Sequence, residues 1–472
     1  MIKKIYKLLN IDTSKFKKVY LFMLIVILFS GILSIFVRYP MSWYDEQVHY
    51  ARVISYSHNL NPKGETYISE GEQEFIQRSM GTIAKSLGQK TPNILSLDWK
   101  HDFKTLNKSK KLVKTRDAIP ASVYTPIVYL PYILATWVAN ILRLDIISSF
   151  IFLRLIGFLS VFILLILAFR KLPFGKATLL MIASIPTVIL SFTAISADTL
   201  TYGLIFLFVA HMLNLYQKIA LSIKIKRVEF VKLLIISVLL VLAKMPAFAV
   251  LALYLPMIYI GIKDKKLSKF QIIFLFTSLL FCAFLTIVWY LSIKDINGNV
   301  TYYGNTLIDQ GKQLKFILSH PLRTLRVFIE NILDFPYFDF QLGYSDFQRG
   351  MQVPVIISIF SLFSILNSFK IQDSEQPLID KKERIIYNSF SRLIFIGVSL
   401  LIYLIFYLQV TEVGSEKISG VQGRYFLSFL ILLVPFSNGK SFLSIKQSKY
   451  VLYASVIPAI YYILLMFYQL RN

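Results

Sequence analysis

Four ionisable residues stand close together in the stretch RYPMSWYDEQVHYARV, which covers residues 38–53. The first long apolar run of the chain is followed there by Asp45, Glu46, His49 and Arg52. A carboxylate in such a place can act as a general base that takes the proton of an attacking hydroxyl group. The adjacent pair Asp45 and Glu46 could also ligate a divalent metal ion, although the sequence shows no complete ligand set.

Further ionisable residues interrupt or border apolar segments elsewhere in the chain. They are Arg154 in FIFLRLIGF, Asp198 in AISADTLTY, Lys244 in LAKMPAF and Arg424 in SGVQGRYFL. Charge at such positions is costly, which makes these residues candidates for a functional site. Cations beside carboxylates can hold a phosphate and stabilise the charge that it acquires as a leaving group.

Each candidate also has a structural interpretation. Arg424 and Lys244 could extend to lipid headgroups, and Asp198 could cap the helix that follows it. His49 could be an ordinary interfacial histidine. Arg154 lies deeper in its apolar segment, which favours a partner or a ligand.

The composition defines the class of protein that must position these residues. Of the 472 residues, 56% are hydrophobic and only 16% are charged. Apolar runs of roughly 17–22 residues recur along the chain, and each is long enough to cross a bilayer as a helix. The sequence therefore predicts an all-α, polytopic membrane protein, and we treat residues 1–472 as a single membrane domain.

About eleven membrane-spanning helices are predicted from these runs. They lie near residues 19–37, 147–169, 177–197, 199–217, 230–243, 246–262, 270–292, 351–369, 388–410, 421–437 and 449–469. The segment 124–140 is also apolar but contains two prolines.

Basic loops predict the orientation. Much of the net charge of +25 lies in short segments between apolar runs, as expected of cytoplasmic loops. Counting back from those loops puts the N-terminus in the cytoplasm and the C-terminus outside. Segment 124–140 then begins and ends outside as a juxtamembrane or re-entrant helix. The alternative is that it spans the membrane and that another helix is misassigned.

This topology predicts two large extracellular regions, 38–146 with its juxtamembrane helix and 293–350. The second contains a predicted amphipathic helix over 311–333, in which apolar residues recur at helical spacing between basic ones. The topology also puts Arg154, Asp198, Lys244 and Arg424 on the extracellular side of the bacterial plasma membrane. Asp45, Glu46 and His49 lie on the same side, although only cytoplasmic loops entered the count.

Several classes of protein are disfavoured by what the sequence lacks. The basic charge comes without a recognition helix or an aromatic RNA-binding pattern, so no nucleic-acid partner is expected. A single cysteine, Cys282, excludes an intramolecular disulfide and a cysteine-based metal cluster. The D-x-D, phosphate-binding-loop, zinc-protease and serine-hydrolase motifs are also missing.

Several motifs together resemble a bacterial membrane-protein family catalogued as domain of unknown function 2142. They are YDEQVHYARV (44–53), YTPIVYLPY (124–132), SADTLTYGL (196–204), SHPLRTL (319–325), FQLGYSD (340–346) and GVQGRYFL (420–427). That family is in turn similar to the GT-C superfamily of glycosyltransferases, which use polyprenyl-phosphate sugars. Those enzymes share an acidic first extracellular loop, juxtamembrane helices and an arginine in the span that follows.

The resemblance implies roles for particular residues. Asp45 would be the catalytic carboxylate with Glu46 as its neighbour. Arg154 would match the arginine of the following span, and Arg424 would bind the phosphate. Lys244 joins the predicted substrate and phosphate site from topology, together with His49 and Asp198.

The leading hypothesis is therefore a membrane glycosyltransferase. It would move a sugar from a polyprenyl-phosphate-linked lipid to a cell-wall glycan or a teichoic-acid-like acceptor outside the membrane. The alternatives are a transporter or flippase of a lipid-linked glycan, and a non-catalytic protein of polysaccharide assembly. The absence of internal repeats and the position of the charges at one face disfavour transport.

Overall fold

The computed structural model describes most of the chain. The described residues are 2–11, 14–60, 66–87, 97–107, 109–299, 307–334, 352–369, 371, 379–436 and 443–471. The predicted motif at 340–346 lies outside these residues, as does much of the second predicted extracellular region.

Helices account for nearly all of the regular structure in these ranges. The α-helices, in chain order from α1 to α19, are Ile2–Leu8, Lys17–Val37, Glu46–His58, Glu70–Leu87, Leu130–Ile141, Ile146–Lys171, Lys176–Ala183, Pro186–Thr193, Ala197–Ala220, Arg227–Ala243, Tyr254–Lys263, Lys269–Asn299, Gln310–Ser319, Pro321–Leu333, Gln352–Ser368, Lys381–Gln409, Arg424–Leu427, Ile445–Ala454 and Ile457–Arg471. Short 3-10 helices cover Leu97–Phe103, Ile119–Val123, Pro126–Tyr129, Met245–Leu253 and Ser428–Leu433.

The helices confirm an all-α polytopic membrane protein. Seven of them, some with an adjoining short helix, are long and apolar enough to cross a membrane. The pair α7 and α8, bent by 71°, makes an eighth candidate. The other three predicted spans, near 230–243, 351–369 and 421–437, coincide with α10, α15 and the short helices over 424–433. These three are shorter than the seven, which explains why eleven apolar runs give fewer full-length helices.

Segment 124–140 forms the 3-10 helix Pro126–Tyr129 followed by the 12-residue helix α5. At 1.5 Å per residue, α5 is about 18 Å long, and the 3-10 turn leaves the total below the roughly 30 Å of a bilayer core. Leu130, Leu134 and Trp137 on α5 are exposed. The segment is thus short for a complete span, and its juxtamembrane or re-entrant position stays a prediction.

The predicted first extracellular region contains the only sheet in the described ranges. Strand β1 (Tyr67–Ser69) pairs antiparallel with β2 (Leu112–Lys114), with Ile68 opposite Val113. Helix α4 starts directly after β1, and both pack against α3. The sheet and α4 thereby join segments that are distant in sequence to α3, the helix that starts at Glu46.

Helix α9 occupies the centre of the bundle, with 83% of its most apolar stretch buried. In α12 only 17% of the corresponding stretch is buried, so most of that helix faces outwards. Two ion pairs join helix ends at one end of the bundle, Lys171 with Glu229 and Lys266 with Glu383. Arg154, in the first half of α6, and Lys244, directly after α10, lie towards the other ends of the helices that carry Lys171 and Glu229.

A glycine on α6 allows α5 to approach it closely. A Cβ atom on Gly157 would lie 2.3 Å from Cε1 of Tyr132, which is closer than side chains pack. The Tyr132 hydroxyl in turn donates a hydrogen bond to the Ala194 carbonyl, at 2.8 Å. The contact thus ties α5 and α6 to the turn that leads into α9.

Replacing Gly157 with alanine is expected to destabilise the protein by roughly 1–3 kcal/mol, because the Tyr132 ring must move. Thermal unfolding of the detergent-purified protein measures the change. Gly397→Ala is the matched control, since nothing lies within 4 Å of the added methyl group. Equal melting temperatures for the two variants would contradict the packing argument.

Candidate functional site

The candidate site is built where five helices begin or end. Helix α2 ends before Arg38, α3 begins at Glu46 and α9 begins at Ala197. Helix α10 ends before Lys244, and α17 begins at Arg424. Helix ends carry unpaired backbone groups and allow side chains to approach from several directions, which makes them suitable places for a polar site.

The turn between α2 and α3 holds Asp45 in an unusual backbone conformation. Met41 has a φ of 59° and Asp45 a φ of 62°, in the left-handed region that non-glycine residues seldom adopt. Such a residue costs of order 1–3 kcal/mol, which the surrounding structure must supply. Asp45 is the residue before the first turn of α3, yet its side chain makes no capping hydrogen bond. The carboxylate is therefore available for another contact.

That contact is Arg424. Nη2 of Arg424 lies 3.1 Å from Oδ2 of Asp45. The arginine side chain is only 3% exposed, whereas the aspartate side chain is 40% exposed. The pair thus joins a buried cation to a carboxylate that a molecule from outside can reach.

Three aromatic rings surround the Arg424 guanidinium. Its central carbon lies 5.5 Å from the ring centre of Trp43, 5.1 Å from that of Tyr44 and 5.0 Å from that of Tyr425. Nη2 also donates a hydrogen bond to the Tyr425 hydroxyl, at 3.1 Å. Among the described residues, Nε of Arg424 has no hydrogen-bond partner. The rings hold the cation by cation–π attraction while leaving it a donor to spare.

A second carboxylate and cation lie next to the first pair. Nζ of Lys244 is 2.5 Å from Oδ1 of Asp198 and 5.3 Å from the centre of the Tyr425 ring. Ser196 caps α9 by accepting a hydrogen bond from the backbone N–H of Asp198. Because Ser196 performs the capping, the Asp198 carboxylate is left to pair with Lys244.

His49 lies beside both pairs. Its Nδ1 is 2.6 Å from the Tyr129 hydroxyl, and its ring packs against that of Tyr124. It lies within electrostatic range of all four charged side chains, namely Asp45, Asp198, Lys244 and Arg424. Burial, opposed by the two carboxylates, lowers the pKa of His49 to about 4, so the imidazole is neutral at pH 7. We call these five residues the polar cluster.

Glu46 faces away from this cluster into a fully buried ion-pair network. Arg154 holds it with two hydrogen bonds, Nη2 to Oε2 at 2.6 Å and Nε to Oε1 at 2.9 Å. Arg38 Nη2 lies 3.3 Å from Oε1, and the Ile195 N–H donates to the same oxygen. Burial alone would raise the pKa of Glu46, but the charges of Arg154 and Arg38 outweigh it and keep that pKa below its usual value. We call Arg38, Glu46 and Arg154 the buried triad.

The triad also binds the backbone of the turn. Arg154 donates to the Arg38 carbonyl at 3.0 Å and to the Tyr39 carbonyl at 3.3 Å. Its guanidinium is thus shared between Glu46 and the start of the segment that leads to Asp45. Arg154 is fully buried and stacks on the Phe150 ring.

The structure therefore divides the seven predicted site residues into two neighbouring groups. Five of them form the polar cluster, while Glu46 and Arg154 pair with each other in the buried triad. Residues that sequence reasoning missed are Arg38, which follows the first apolar run directly, and the aromatic residues Trp43, Tyr44, Tyr129 and Tyr425. Tyr44 directly precedes Asp45 and Tyr425 directly follows Arg424, which was the available signal for these two residues.

A metal site on Asp45 and Glu46 does not fit this geometry. The two carboxylates point to different partners, Arg424 and Arg154. Among the residues that the structure describes, no three His, Cys, Asp or Glu side chains come together in a way that could hold a metal ion.

An open groove of about 530 Å³ lies on the module formed by β1, α4 and β2. Its walls are mostly polar and consist of Glu70, Gln73, Glu74, Gln77, Asn107, Val113, Lys114, Thr115, Arg116 and Asp117. Gln73 donates to Asp117 across it, at 2.9 Å. Lys114 and Arg116 line part of the groove, and Lys111 pairs with Glu70 beside it.

The fold and the site together define a multi-pass α-helical membrane protein with an ionisable cluster at one end of its helix bundle. The chain belongs to the family described as "Predicted membrane protein (DUF2142)", whose model matches residues 28–433. That range includes all residues of the polar cluster and the buried triad. No curated protein and no solved structure matches the chain.

Glu46→Gln is expected to destabilise the protein by roughly 3–5 kcal/mol, because it leaves Arg154 and Arg38 buried without a counter-charge. Thermal unfolding in detergent measures the loss. Glu330→Gln is the control, since it removes the same type of partner from the exposed pair Arg326–Glu330. That variant should unfold like the native protein. A small effect of Glu46→Gln would mean that the triad is not what holds the turn.

Proposed function

We propose that this protein is a membrane glycosyltransferase of the GT-C type. It would transfer a sugar from a polyprenyl-phosphate lipid to a hydroxyl group of a cell-wall or surface glycan. The observation that carries the proposal is the pairing of a reachable carboxylate, Asp45, with a buried arginine that is surrounded by aromatic rings. The resemblance of the sequence to GT-C enzymes supports the same assignment.

The reaction needs a base on one side of the sugar and cations on the other. Asp45 takes the proton of the acceptor hydroxyl, whose oxygen forms a bond to the anomeric carbon. The bond from that carbon to the phosphate oxygen breaks, and the phosphate leaves with the electron pair. Arg424 and Lys244 stabilise the charge that it gains.

The ion pairs in the polar cluster suggest how the donor would prepare this base. Arg424 and Lys244 each hold a carboxylate at hydrogen-bonding distance. A phosphate offers arginine stronger, two-point hydrogen bonding than a single carboxylate oxygen does. A bound donor phosphate would thus displace Asp45 from Arg424 and leave the carboxylate to accept a proton.

Glu46 and Arg154 receive a positioning role in this proposal. Both are fully buried and engaged with each other, whereas the polar cluster has a reachable carboxylate. The triad fixes the first residue of α3 and the carbonyl groups of Arg38 and Tyr39, so it fixes the turn that presents Asp45. Arg154 would therefore act on the phosphate only through that turn.

The partners follow from the surroundings of the cluster. The prenyl tail of the donor would remain in the bilayer beside the apolar helices. The hydroxyl-rich acceptor would approach from the module that packs on α3, whose open groove is lined by amide, carboxylate and hydroxyl groups. We propose a bacterial plasma membrane with this face outside, as the basic loops indicate.

One observation favours the second candidate, a flippase of a lipid-linked glycan. Helices α7 and α8 form a pair that is bent by 71° at a break of no more than four residues. Broken helices of this kind occur in transporters, where they line a site near the middle of the membrane. Against this, the ionisable groups of the polar cluster gather where helices begin or end. A non-catalytic assembly protein remains the third alternative.

Asp45→Asn is expected to lower sugar transfer by about a hundredfold or more, because the amide cannot take a proton. Asparagine tolerates the left-handed conformation, so the turn should survive the change. Purified protein in proteoliposomes, given undecaprenyl-phosphate sugars and teichoic-acid or wall-glycan acceptors, is assayed for sugar transfer and released lipid phosphate.

Asp264→Asn, an exposed aspartate in the turn before α12, is the matched control and should transfer at the native rate. Native transfer by the Asp45 variant would refute the role of Asp45. Movement of the donor lipid across the bilayer without transfer by the native protein would favour the flippase.

Arg424→Gln is expected to weaken binding of undecaprenyl phosphate by tenfold or more, on the order of 1.4 kcal/mol, since a charged donor to the phosphate is lost. The rise in melting temperature with added lipid measures binding, with each variant compared with its own lipid-free sample. Undecaprenol, which lacks the phosphate, should stabilise neither protein in this way.

Arg227→Gln serves as the matched control for that measurement, because Arg227 is an exposed arginine at the start of α10, the opposite end of that helix from Lys244. A lipid response of Arg424→Gln equal to that of the control would remove Arg424 from the phosphate site.

A further inference from the structure

A row of bare apolar side chains runs along α13 and α14. The row consists of Leu318, Leu322, Leu325, Ile329 and Leu333, which are 48–82% exposed. The last four belong to α14, and their spacing of three or four residues places them on one side of that helix. Leu318 lies on α13, three residues before α14 begins. Such a continuous exposed apolar face marks a binding surface in a folded protein.

The other side of α14 packs on the bundle. Val327 is buried, and the Phe328 ring meets that of Tyr407 at 5.7 Å. The Tyr403 hydroxyl donates to the Asn331 carbonyl at 3.0 Å. Both tyrosines belong to α16, so α14 is held firmly against this membrane-spanning helix while its apolar row faces away.

Two buried or half-buried amides connect these helices to the segment that leads to the site. We call residues 411–423, between α16 and α17, the Arg424 arm. Asn331 donates to the Glu416 carbonyl and accepts from the Ile418 N–H, both at 2.9 Å. Gln313, fully buried on α13, accepts from the Gly414 N–H at 2.8 Å. The arm thus takes its position from α13 and α14.

The chemistry of the surface indicates a lipid bilayer as its occupant. Basic side chains border the apolar row, namely Lys312, Lys315, Arg323 and Arg326, three of which also pair with partly or largely exposed carboxylates. Cations beside an apolar face match the phosphates and acyl chains of a lipid interface. The two helices also pack on α16, a candidate membrane-spanning helix. The exposed side chains of Leu393, Ile396 and Leu400 on α16 point away from the bundle.

We propose that α13 and α14 lie in the membrane interface and hold the Arg424 arm at the level of the lipid phosphates. The membrane position rests on the apolar row and its contacts alone. Only the last step, that the phosphate met by Arg424 belongs to a lipid donor, rests on the proposed function. The two helices thereby fix the depth of the polar cluster relative to the membrane surface.

Depth-dependent quenching tests the position. Cysteines carrying a fluorophore replace Leu322 or Ile329 in the full chain, with the exposed Lys110 beside β2 as the control site and the native Cys282 replaced by alanine. The protein is reconstituted in vesicles of phosphatidylethanolamine and phosphatidylglycerol. Labels at 322 and 329 should be quenched several-fold more by shallow nitroxide lipids than by iodide in water, and the label at 110 should show the reverse order.

Strong iodide quenching at 322 and 329 would overturn the proposal. So would protection from both quenchers together with cross-linking between two copies, which would make this face a protein interface. Neither readout depends on sugar transfer, so a failed glycosyltransferase assay would leave the result intact.

The link to the arm is tested by a spin label on Ser419→Cys, an exposed position in the arm. Asn331→Ala should increase the mobility of the label, because both hydrogen bonds to the arm are lost. Asn367→Ala, which removes an amide bonded within its own helix, should leave the mobility unchanged. Unchanged mobility in the correctly folded Asn331 variant would show that the helices do not position the arm.

Discussion

A charge can leave water only where an opposite charge and hydrogen bonds replace its hydration, and the Glu46 carboxylate is where this chain meets that requirement. Arg38 follows α2, Arg154 projects from α6, and the Ile195 N–H comes from the turn before α9. Three parts of the bundle must therefore converge before Glu46 can be buried. The direction of α3 and the strained backbone of Asp45 depend on that convergence.

The polar cluster follows a different design from the triad, although the two lie next to each other. Charges in the triad are fully enclosed and paired with one another, which suits a part that must not move, although Nε of Arg38 has no hydrogen-bond partner among the described residues. The cluster combines a half-exposed carboxylate with an arginine that keeps one donor without a partner among the described residues. An enclosed carboxylate in the first group and an accessible carboxylate in the second are what a site needs from its support and its reactive part.

Apolar runs predict the membrane class and most helices, because crossing a bilayer imposes a length and a composition that a sequence displays openly. The positions of the basic loops predicted that the members of the polar cluster lie on the same side of the membrane. The sequence does not predict that the adjacent carboxylates of Asp45 and Glu46 bind different partners. The direction of each side chain depends on the backbone torsions at the turn, which composition does not reveal. The aromatic enclosure of Arg424 depends on residues 380 positions apart in sequence, such as Tyr44, and only folding brings them together.

The pairing of two carboxylates with two cations has a consequence for how a ligand arrives. Equal and opposite charges a few ångströms apart cancel at a distance, and salt screens what is left within about 10 Å. The cluster therefore has little reach into the surrounding water and cannot draw an anion in from far away. A ligand confined to the bilayer avoids that difficulty, because its search runs in two dimensions and brings it to the helix ends by lateral diffusion. Such a site would select for membrane-bound anions by the route they travel before any contact is made.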